Sequence, residues 1–157
     1  MRVALTSLFR NASELVESYF VRVAALREAL EERSDSLQLI LVEGDSIDGT
    51  LNRIVARVGG YTADVLQMNH GGPVYGGSID PERFHQLSRC LDAALGRVPD
   101  AADAWLFVEC DLLWTPATLL KLLDDLNDVD AVLPMVYGRD RTWFYDTWAF
   151  RKDGQHF

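Results

Sequence analysis

Residues 37–50 read Leu37-Gln38-Leu39-Ile40-Leu41-Val42-Glu43-Gly44-Asp45-Ser46-Ile47-Asp48-Gly49-Thr50, an almost continuous apolar run followed by a polar turn. An apolar run of strand length without alternation predicts a β-strand that is covered on both faces. Such strands belong to parallel sheets, because the helices that connect parallel strands pack on both sides of the sheet. This stretch therefore predicts an α/β protein.

The segments on either side alternate between strand and helix patterns. Val3-Ala4-Leu5 predicts a short first strand, and residues 12–33 carry apolar side chains at helical spacing, with Asn11 and Glu14 as a capping box. Further strands are predicted at residues 64–68, 105–108 and 131–137, and further helices at 50–58, from Pro81 and from Pro116. This order predicts a mostly parallel central sheet with helices on both faces.

Composition and charge narrow the class of protein. The chain has 157 residues, of which 48% are hydrophobic and 25% charged, the balance of one globular domain rather than a disordered chain. Lys and Arg number 15 against 24 Asp and Glu, a formal charge of -9. This argues against broad binding to nucleic acid or to an anionic membrane surface.

The sequence favours a cytoplasmic protein. No apolar run approaches the roughly 18 residues of a membrane span, and residues 1–6 lack a charged leader followed by a long apolar region. The cysteines Cys90 and Cys110 have no metal-type spacing and are predicted to be buried free thiols. Whether the chain forms a homo-oligomer is left open by the sequence.

Ligands of open α/β sheets bind beyond the carboxyl ends of the strands. By this rule the candidate segments are residues 6–11, 43–50 and 109–111. For residues 43–50 two compatible interpretations stand: a turn with a helix cap, and a pocket in which Glu43 accepts hydrogen bonds from a base or ribose.

Glu109 and Asp111 lie two residues apart after a buried strand, so both side chains can point the same way. Two neighbouring carboxylates repel each other, which raises the pKa of one of them. A divalent cation bound by their oxygens relieves the repulsion. Residues 100–130 carry eight acidic side chains against Lys121, most of them expected on a solvated face. The pair is therefore either a metal site or part of that face.

The sequence lacks two common ligand-binding motifs of α/β enzymes and carries a third with altered spacing. The glycine loop at 71–77 lacks the Gly-Lys-Ser/Thr of a P-loop, and no Gly-x-Gly-x-x-Gly follows the first strand. Residues 45–50 are similar to the Asp-x-Asp-Gly-Thr loop of haloacid-dehalogenase-type phosphatases, but with one residue more between the aspartates and after the second strand. A metal-dependent phosphatase of this type is kept as an alternative.

Glu43-x-x-Ser46-x-Asp48-x-Thr50 followed by Glu109-x-Asp111 resembles the GT-A type of nucleotide-sugar glycosyltransferase. The pattern is similar to the capsule-type α-1,3-mannosyltransferases of glycosyltransferase family 69, which carry Glu-Ser-x-Ser-x-Asp-x-Thr, an arginine-rich helix and a late Tyr-Asp-Thr-Trp segment. The counterparts of the helix and the late segment are Arg83 with Arg89 and residues 144–148. The family-2 pattern Asp-Gly-Ser-x-Asp-Gly-Thr fits the same stretch. The likeness spans Val3 to about Arg151.

The resemblance implies a Rossmann-like GT-A fold and a metal-dependent transfer of sugar from a UDP- or GDP-sugar, GDP-mannose among them. The acceptor would be a glycan or another hydroxyl-bearing molecule. A non-catalytic nucleotide-binding module of the same fold is the second alternative. Residues 1–157 would form one domain, short at its C terminus, with a nucleotide-binding half at 1–111 and an acceptor-side half at 112–157.

The resemblance also implies roles for individual residues. The nucleotide-sugar would be bound by Thr6, Ser7, Glu43, Ser46, Asp48 and Glu109. Asp111, with Glu109 in place of the usual aspartate, would hold Mn²⁺ or Mg²⁺ across the diphosphate. Arg83 or Arg89 would contact the base or the diphosphate, or else form surface ion pairs. Asp146 would act as catalytic base or bind the transferred sugar, among aromatic residues that otherwise belong to the core.

Overall fold

A computed structural model describes residues 1–72, residue 75 and residues 80–138. The chain divides into two compact units, Met1–Leu119 and Leu120–Phe157. The strands are β1 (Arg2–Phe9), β2 (Ser36–Glu43), β3 (Thr62–Gln67) and β4 (Ala104–Phe107). The helices are α1 (Ser13–Glu31), α2 (Thr50–Arg57), α3 (Pro81–Leu95) and α4 (Pro116–Asp125), with short 3-10 turns at Val58–Gly60 and Leu126–Asp128.

The four strands form one parallel sheet in the order β3-β2-β1-β4. In its register Phe9 lies beside Glu43, and Glu43 lies beside Gln67. The carboxyl ends of β1, β2 and β3 therefore stop at the same level. The predicted parallel sheet is confirmed, and β1 extends beyond the predicted strand to Phe9.

One face of the sheet is covered by α1. The Tyr19 ring meets Phe9 edge-on at 5.0 Å between centroids, and the Tyr19 hydroxyl donates to Ser7 Oγ. The buried stripe of the helix has the predicted helical spacing and consists of Val16, Tyr19, Phe20, Val23, Leu26 and Leu30. Burial of each large apolar side chain contributes about 1.5–3 kcal/mol, so this stripe fixes α1 on the sheet.

The opposite face is packed against α3. Ala4, Leu8, Ile40 and Val42 of the sheet form a buried cluster with Ala94 of the helix. Helices thus lie on both faces, as the uninterrupted apolar run of β2 predicts. Among the described residues, no helix is both long enough and apolar enough to span a bilayer.

The start of α1 differs from the prediction. Asn11 and Glu14 form no capping box: Asn11 has a left-handed backbone (φ 47°), and its Oδ1 accepts from the Ile47 N–H at 3.0 Å. The cap is supplied from another loop instead, because Asp48 Oδ2 accepts from the Ser13 N–H at 3.0 Å. By contrast, α3 begins as predicted, with Asp80 accepting from the Glu82 N–H and Pro81 in the first turn.

The strand predicted at residues 131–137 is wrong. Residues 131–136 form no strand, and Tyr137 makes an isolated bridge. Pro134 has no N–H to donate to a neighbouring strand, and Leu133 and Met135 are 73% and 62% exposed. Although the segment is apolar, Leu133 and Met135 are therefore not buried.

Candidate functional site

Three loops meet at the carboxyl edge of the sheet and are tied together by side chains. Ser46 Oγ accepts from the Asn11 N–H at 2.9 Å, which joins the loop after β2 to the end of β1. Asn69 Oδ1 accepts from the Asp45 N–H at 3.0 Å, which joins the loop after β3 to the loop after β2. The positions of these loops are therefore fixed beyond the last strand pairs.

An open cavity of about 360 Å³ lies at the ends of β2 and β3. It is lined by Glu43, Asp45, Ser46, Ile47, Leu51, Gln67, Asn69, Gly71 and Gly72. The described lining contains two carboxylates, three other polar side chains and no basic group. A second cavity, of about 240 Å³, lies at the amino ends of the strands near Arg2 and Gln38, away from the predicted site residues.

Glu43 is the most deeply placed charged residue of the cavity. It is 1% exposed, at the last position of β2, and its Oε1 accepts from the Ser46 N–H at 3.1 Å. A buried carboxylate is costly unless it is hydrogen-bonded, and the Ser46 N–H supplies one such bond. The structure brings Glu43 and Ser46 together, as the sequence predicts.

Asp48 lies next to the cavity but serves the protein framework. Its Oδ1 accepts from the Thr50 N–H and hydroxyl, and its Oδ2 from the Ser13 N–H. The Thr50 hydroxyl, first among these causes, holds the pKa of Asp48 far below its usual value. Of the two interpretations of residues 43–50, the cap is present at Asp48, while Glu43 and Ser46 line the cavity, where binding of a base or ribose stays a prediction.

Thr6 and Ser7 lie within β1 and not at its end. Both are 0% exposed. Thr6 Oγ1 accepts from Trp105 Nε1 at 2.8 Å, and Ser7 Oγ donates to the Val108 carbonyl at 2.6 Å while accepting from Tyr19. Their expected place at a strand end is corrected, because β1 continues to Phe9. Their hydroxyls join β1 to β4 and α1.

Glu109 and Asp111 follow β4 at the same edge of the sheet. Glu109 is half-buried and Asp111 exposed. Burial, and then the negative charge of Asp111, raises the pKa of Glu109 to about 7, while Arg83 opposes the rise. The charge of Asp111 therefore acts on Glu109, which is the repulsion that the sequence predicts. Among the residues that the structure describes, no group of three or more His, Cys, Asp or Glu side chains could hold a metal ion.

The two predicted arginines lie on α3 in different surroundings. Arg83, in its first turn, is half-buried, and its charge acts on Glu109. Arg89 is exposed and acts on the neighbouring Cys90 thiol. The charge of Arg83 thus acts on Glu109, whereas that of Arg89 acts on Cys90.

The predicted catalytic residue, Asp146, and the aromatic residues around it lie outside the described residues. Their roles stay predictions.

The sequence analysis missed the part of the cavity wall that comes from residues 69–72. Asn69 and Gly71 line the cavity. The Asp45 carboxylate accepts hydrogen bonds from the N–H groups of His70 and Gly71, at 2.9 and 3.2 Å. The signal was present: Asn69 directly follows a predicted strand, where the strand-end rule applies. The glycines that follow it predict a loop without predicting its partner.

Comparisons with known proteins support the fold. No protein-family model matches the chain, and no curated protein matches it. A solved structure, S. aureus TarS 1-349 in complex with UDP-GlcNAc, matches with a TM-score of 0.54 and 18% sequence identity over 80% of this chain and 32% of the TarS chain. The chain thus spans about a third of that structure. At this identity the likeness shows a shared fold, which confirms the predicted α/β fold class.

Proposed function

We propose that the chain binds a nucleoside-diphosphate sugar at the carboxyl edge of its sheet and transfers the sugar to a hydroxyl-bearing acceptor. One observation carries the proposal. An open cavity lined by Glu43 lies at the same carboxyl edge of the sheet as a second acidic group, Glu109 and Asp111. β2 and β4 flank β1, so the two strands are about 9.5 Å apart across the sheet, and β4 ends at Phe107 beside Thr6, before the level of Glu43. That separation suits a nucleoside at one strand and its diphosphate at the other.

The cavity suits the nucleoside rather than the phosphates. Its described lining has Glu43 and Asp45 but no basic side chain, which disfavours a phosphate there. The Glu43 carboxylate can accept hydrogen bonds from N–H groups of a base or from ribose hydroxyls. Uracil and guanine both present such N–H groups, so we propose a UDP- or GDP-sugar as donor.

The residues after β4 fit a divalent cation. Glu109 and Asp111 supply oxygen ligands, and Mg²⁺ is commonly held by one or two carboxylates together with substrate phosphates. The mutual repulsion that raises the Glu109 pKa is the kind that a cation would relieve. When bound, Mn²⁺ or Mg²⁺ would neutralise charge on the leaving nucleoside diphosphate. Arg83 adds positive charge on the same side.

Acceptor chemistry is assigned to Asp146, on the family resemblance alone. A carboxylate there would take the proton of the acceptor hydroxyl, or hydrogen-bond the transferred sugar.

The phosphatase alternative is disfavoured by Asp45 and Asp48. A haloacid-dehalogenase-type enzyme needs an aspartate free to attack phosphorus. Here Asp48 accepts hydrogen bonds through both oxygens, and Asp45 does the same with the His70 and Gly71 N–H groups. Both carboxylates are occupied by the protein framework.

A thermal-shift titration with UDP- and GDP-sugars, with and without Mn²⁺, tests the proposal. A ligand at a hundredfold excess over its Kd stabilises the folded state by about 2.7 kcal/mol, so a true donor gives a clear rise in Tm. Asp111→Ala should abolish the manganese-dependent part of that rise, because it removes one of the two carboxylates. Asp100→Ala, an exposed acidic residue outside the site, is the matched control.

The outcomes separate the alternatives. If no sugar nucleotide raises the Tm of the wild-type chain, the proposed function is wrong. Unchanged manganese-dependent binding in Asp111→Ala would contradict the metal assignment alone. Donor binding without release of nucleoside diphosphate against any acceptor would favour the non-catalytic module, and phosphate release from simple phosphoesters would favour the phosphatase.

A further inference from the structure

Asp45 takes a left-handed backbone conformation that few non-glycine residues adopt, although Asp and Asn tolerate it better than most. Its φ is 54°, in the left-handed region, where a glycine carries no steric cost. Non-glycine residues in this region persist where the surroundings hold them, and they concentrate at functional sites. Asp45 also lines the cavity over Glu43. Its conformation therefore calls for a reason beyond the turn itself.

The Asp45 side chain supplies one. Oδ2 accepts from the His70 N–H at 2.9 Å, and Oδ1 accepts from the Gly71 N–H at 3.2 Å. The Asp45 N–H in turn donates to Asn69 Oδ1 at 3.0 Å. Asp45 thus holds three consecutive residues of the loop after β3, one through its backbone N–H and two through its side-chain oxygens.

The same loop is also held by Arg10. Its guanidinium donates to the Gly72 carbonyl at 2.9 Å and lies 5.9 Å from the Tyr75 ring centroid. The His70 N–H, more than any other group, keeps the pKa of Asp45 below its usual value, and the N–H groups of Gly72 and Gly71 and the charge of Arg10 lower it further. Asp45 is therefore an anion throughout the neutral pH range, with its acceptor oxygens available to the loop.

We propose that Asp45 is a positioning residue for the nucleoside part of the donor, acting through the loop wall formed by Asn69, Gly71 and Gly72. The proposal rests on the proposed function, since it concerns the affinity of that same site. Loop residues are otherwise free to sample many conformations, and fixing a wall before the ligand arrives removes that ordering cost from binding. Asp45 fixes this wall through its hydrogen bonds to Asn69, His70 and Gly71.

Asp45→Gly isolates this role, because glycine keeps the left-handed turn without strain and removes the carboxylate. We expect the Kd for the nucleoside diphosphate to rise about tenfold or more, the effect of losing roughly 1.4 kcal/mol of interaction. The Tm without ligand should stay within a few degrees of wild type. Amide hydrogen exchange at residues 70 and 71 should become faster. Asp45→Asn, which keeps one acceptor oxygen and the same shape, should restore part of the affinity.

Ser34→Gly is the matched control. Ser34 also has a left-handed backbone (φ 62°) but lies at the opposite end of the sheet, before β2. It should leave both nucleotide binding and exchange at residues 70 and 71 unchanged.

Wild-type affinity in Asp45→Gly would overturn the proposal, and so would unchanged exchange at residues 70 and 71. A large fall in Tm with unchanged Kd would show that Asp45 serves stability alone, which also overturns it. If the wild-type chain binds no nucleoside diphosphate, the proposed function itself fails, a result distinct from a loss confined to the variant.

Discussion

Asp48 accepts hydrogen bonds from the first turns of two helices. Ser13 belongs to α1 and Thr50 to α2, and both give N–H groups that have no partner within their own helix. A negative charge is also favourable at helix N-termini, where the helix dipole is positive. This single side chain therefore fixes where both helices start.

Replacing Asp48 tests that role through pH. The Thr50 hydroxyl, more than any other group, keeps the pKa of Asp48 below its unfolded value, so the charged form stabilises the folded state above about pH 4. This contribution is lost as pH falls through the folded pKa. We expect Asp48→Asn to cost about 1 kcal/mol of unfolding free energy at pH 7, because it removes the charge and one of the two accepting oxygens, measured by urea unfolding.

Between pH 6 and pH 3 the wild-type chain should lose more stability than Asp48→Asn. Asp100→Asn, at an exposed position outside the loop, should follow the wild type. Parallel pH curves for Asp48→Asn and wild type would contradict the assignment.

Gly44 is required by a close approach between the ends of β2 and β3. A Cβ at this position would lie 2.1 Å from the Met68 carbonyl oxygen, a backbone atom that cannot rotate away. Gly44→Ala should therefore lower the unfolding free energy by about 2 kcal/mol or more, in the range of overpacking, measured by thermal or urea unfolding. Gly59→Ala is the control, since no atom lies within 4 Å of its Cβ. Equal stability of the two variants would contradict this explanation.

At the scale of elements, β1 is joined to its neighbours by polar groups inside the core. The Tyr19 hydroxyl of α1 donates to Ser7, and Ser7 donates to the Val108 carbonyl after β4. Burial raises the pKa of Tyr19 above its usual value, so its phenol stays a donor. The chain of two hydrogen bonds sets the position of α1 relative to the segment that carries Glu109 and Asp111.

Ser7→Ala and Tyr19→Phe should have unequal effects. Ser7→Ala leaves the buried Tyr19 hydroxyl without its acceptor, which costs about 1–3 kcal/mol. Tyr19→Phe keeps the hydrogen bond from Ser7 to Val108, so its cost should be smaller. Urea unfolding of both variants checks the order. Nucleotide affinity of Ser7→Ala should stay at the wild-type value; a selective loss of affinity would return Ser7 to the binding site.

For the whole molecule, the sequence was sufficient to predict most of the strands and helices, but not the side-chain hydrogen bonds that join the loops between them. The apolar run of β2 and the helical stripe of α1 are local patterns, and both predictions are confirmed. The links of Asp48 to Ser13 and of Asp45 to His70 join residues 35 and 25 positions apart. No spacing rule contains such pairs, because they depend on how three loops pack together.

The candidate site was predictable to the same extent. The strand-end rule selected Glu43, Glu109 and Asp111, and the structure places all three at the carboxyl edge of the sheet, since parallel strands carry their last residues to one edge. It also selected Thr6 and Ser7, because the end of β1 could not be located from an apolar run that continues through Phe9. At residues 131–137, composition suggested a strand that Pro134 and solvent exposure oppose.

The pairing of Glu43 with Phe9 on one side and Gln67 on the other has a consequence for folding errors. A slip of β2 by one residue would turn Glu43 to the other side of the pleat and put Val42 or Gly44 in its place. Such a misaligned chain would keep ordinary secondary structure by circular dichroism and still lack the carboxylate of the proposed nucleoside site. Under the proposed function, nucleotide affinity would therefore also report correct strand alignment, and it would distinguish misaligned refolded preparations that spectroscopy alone would pass as native.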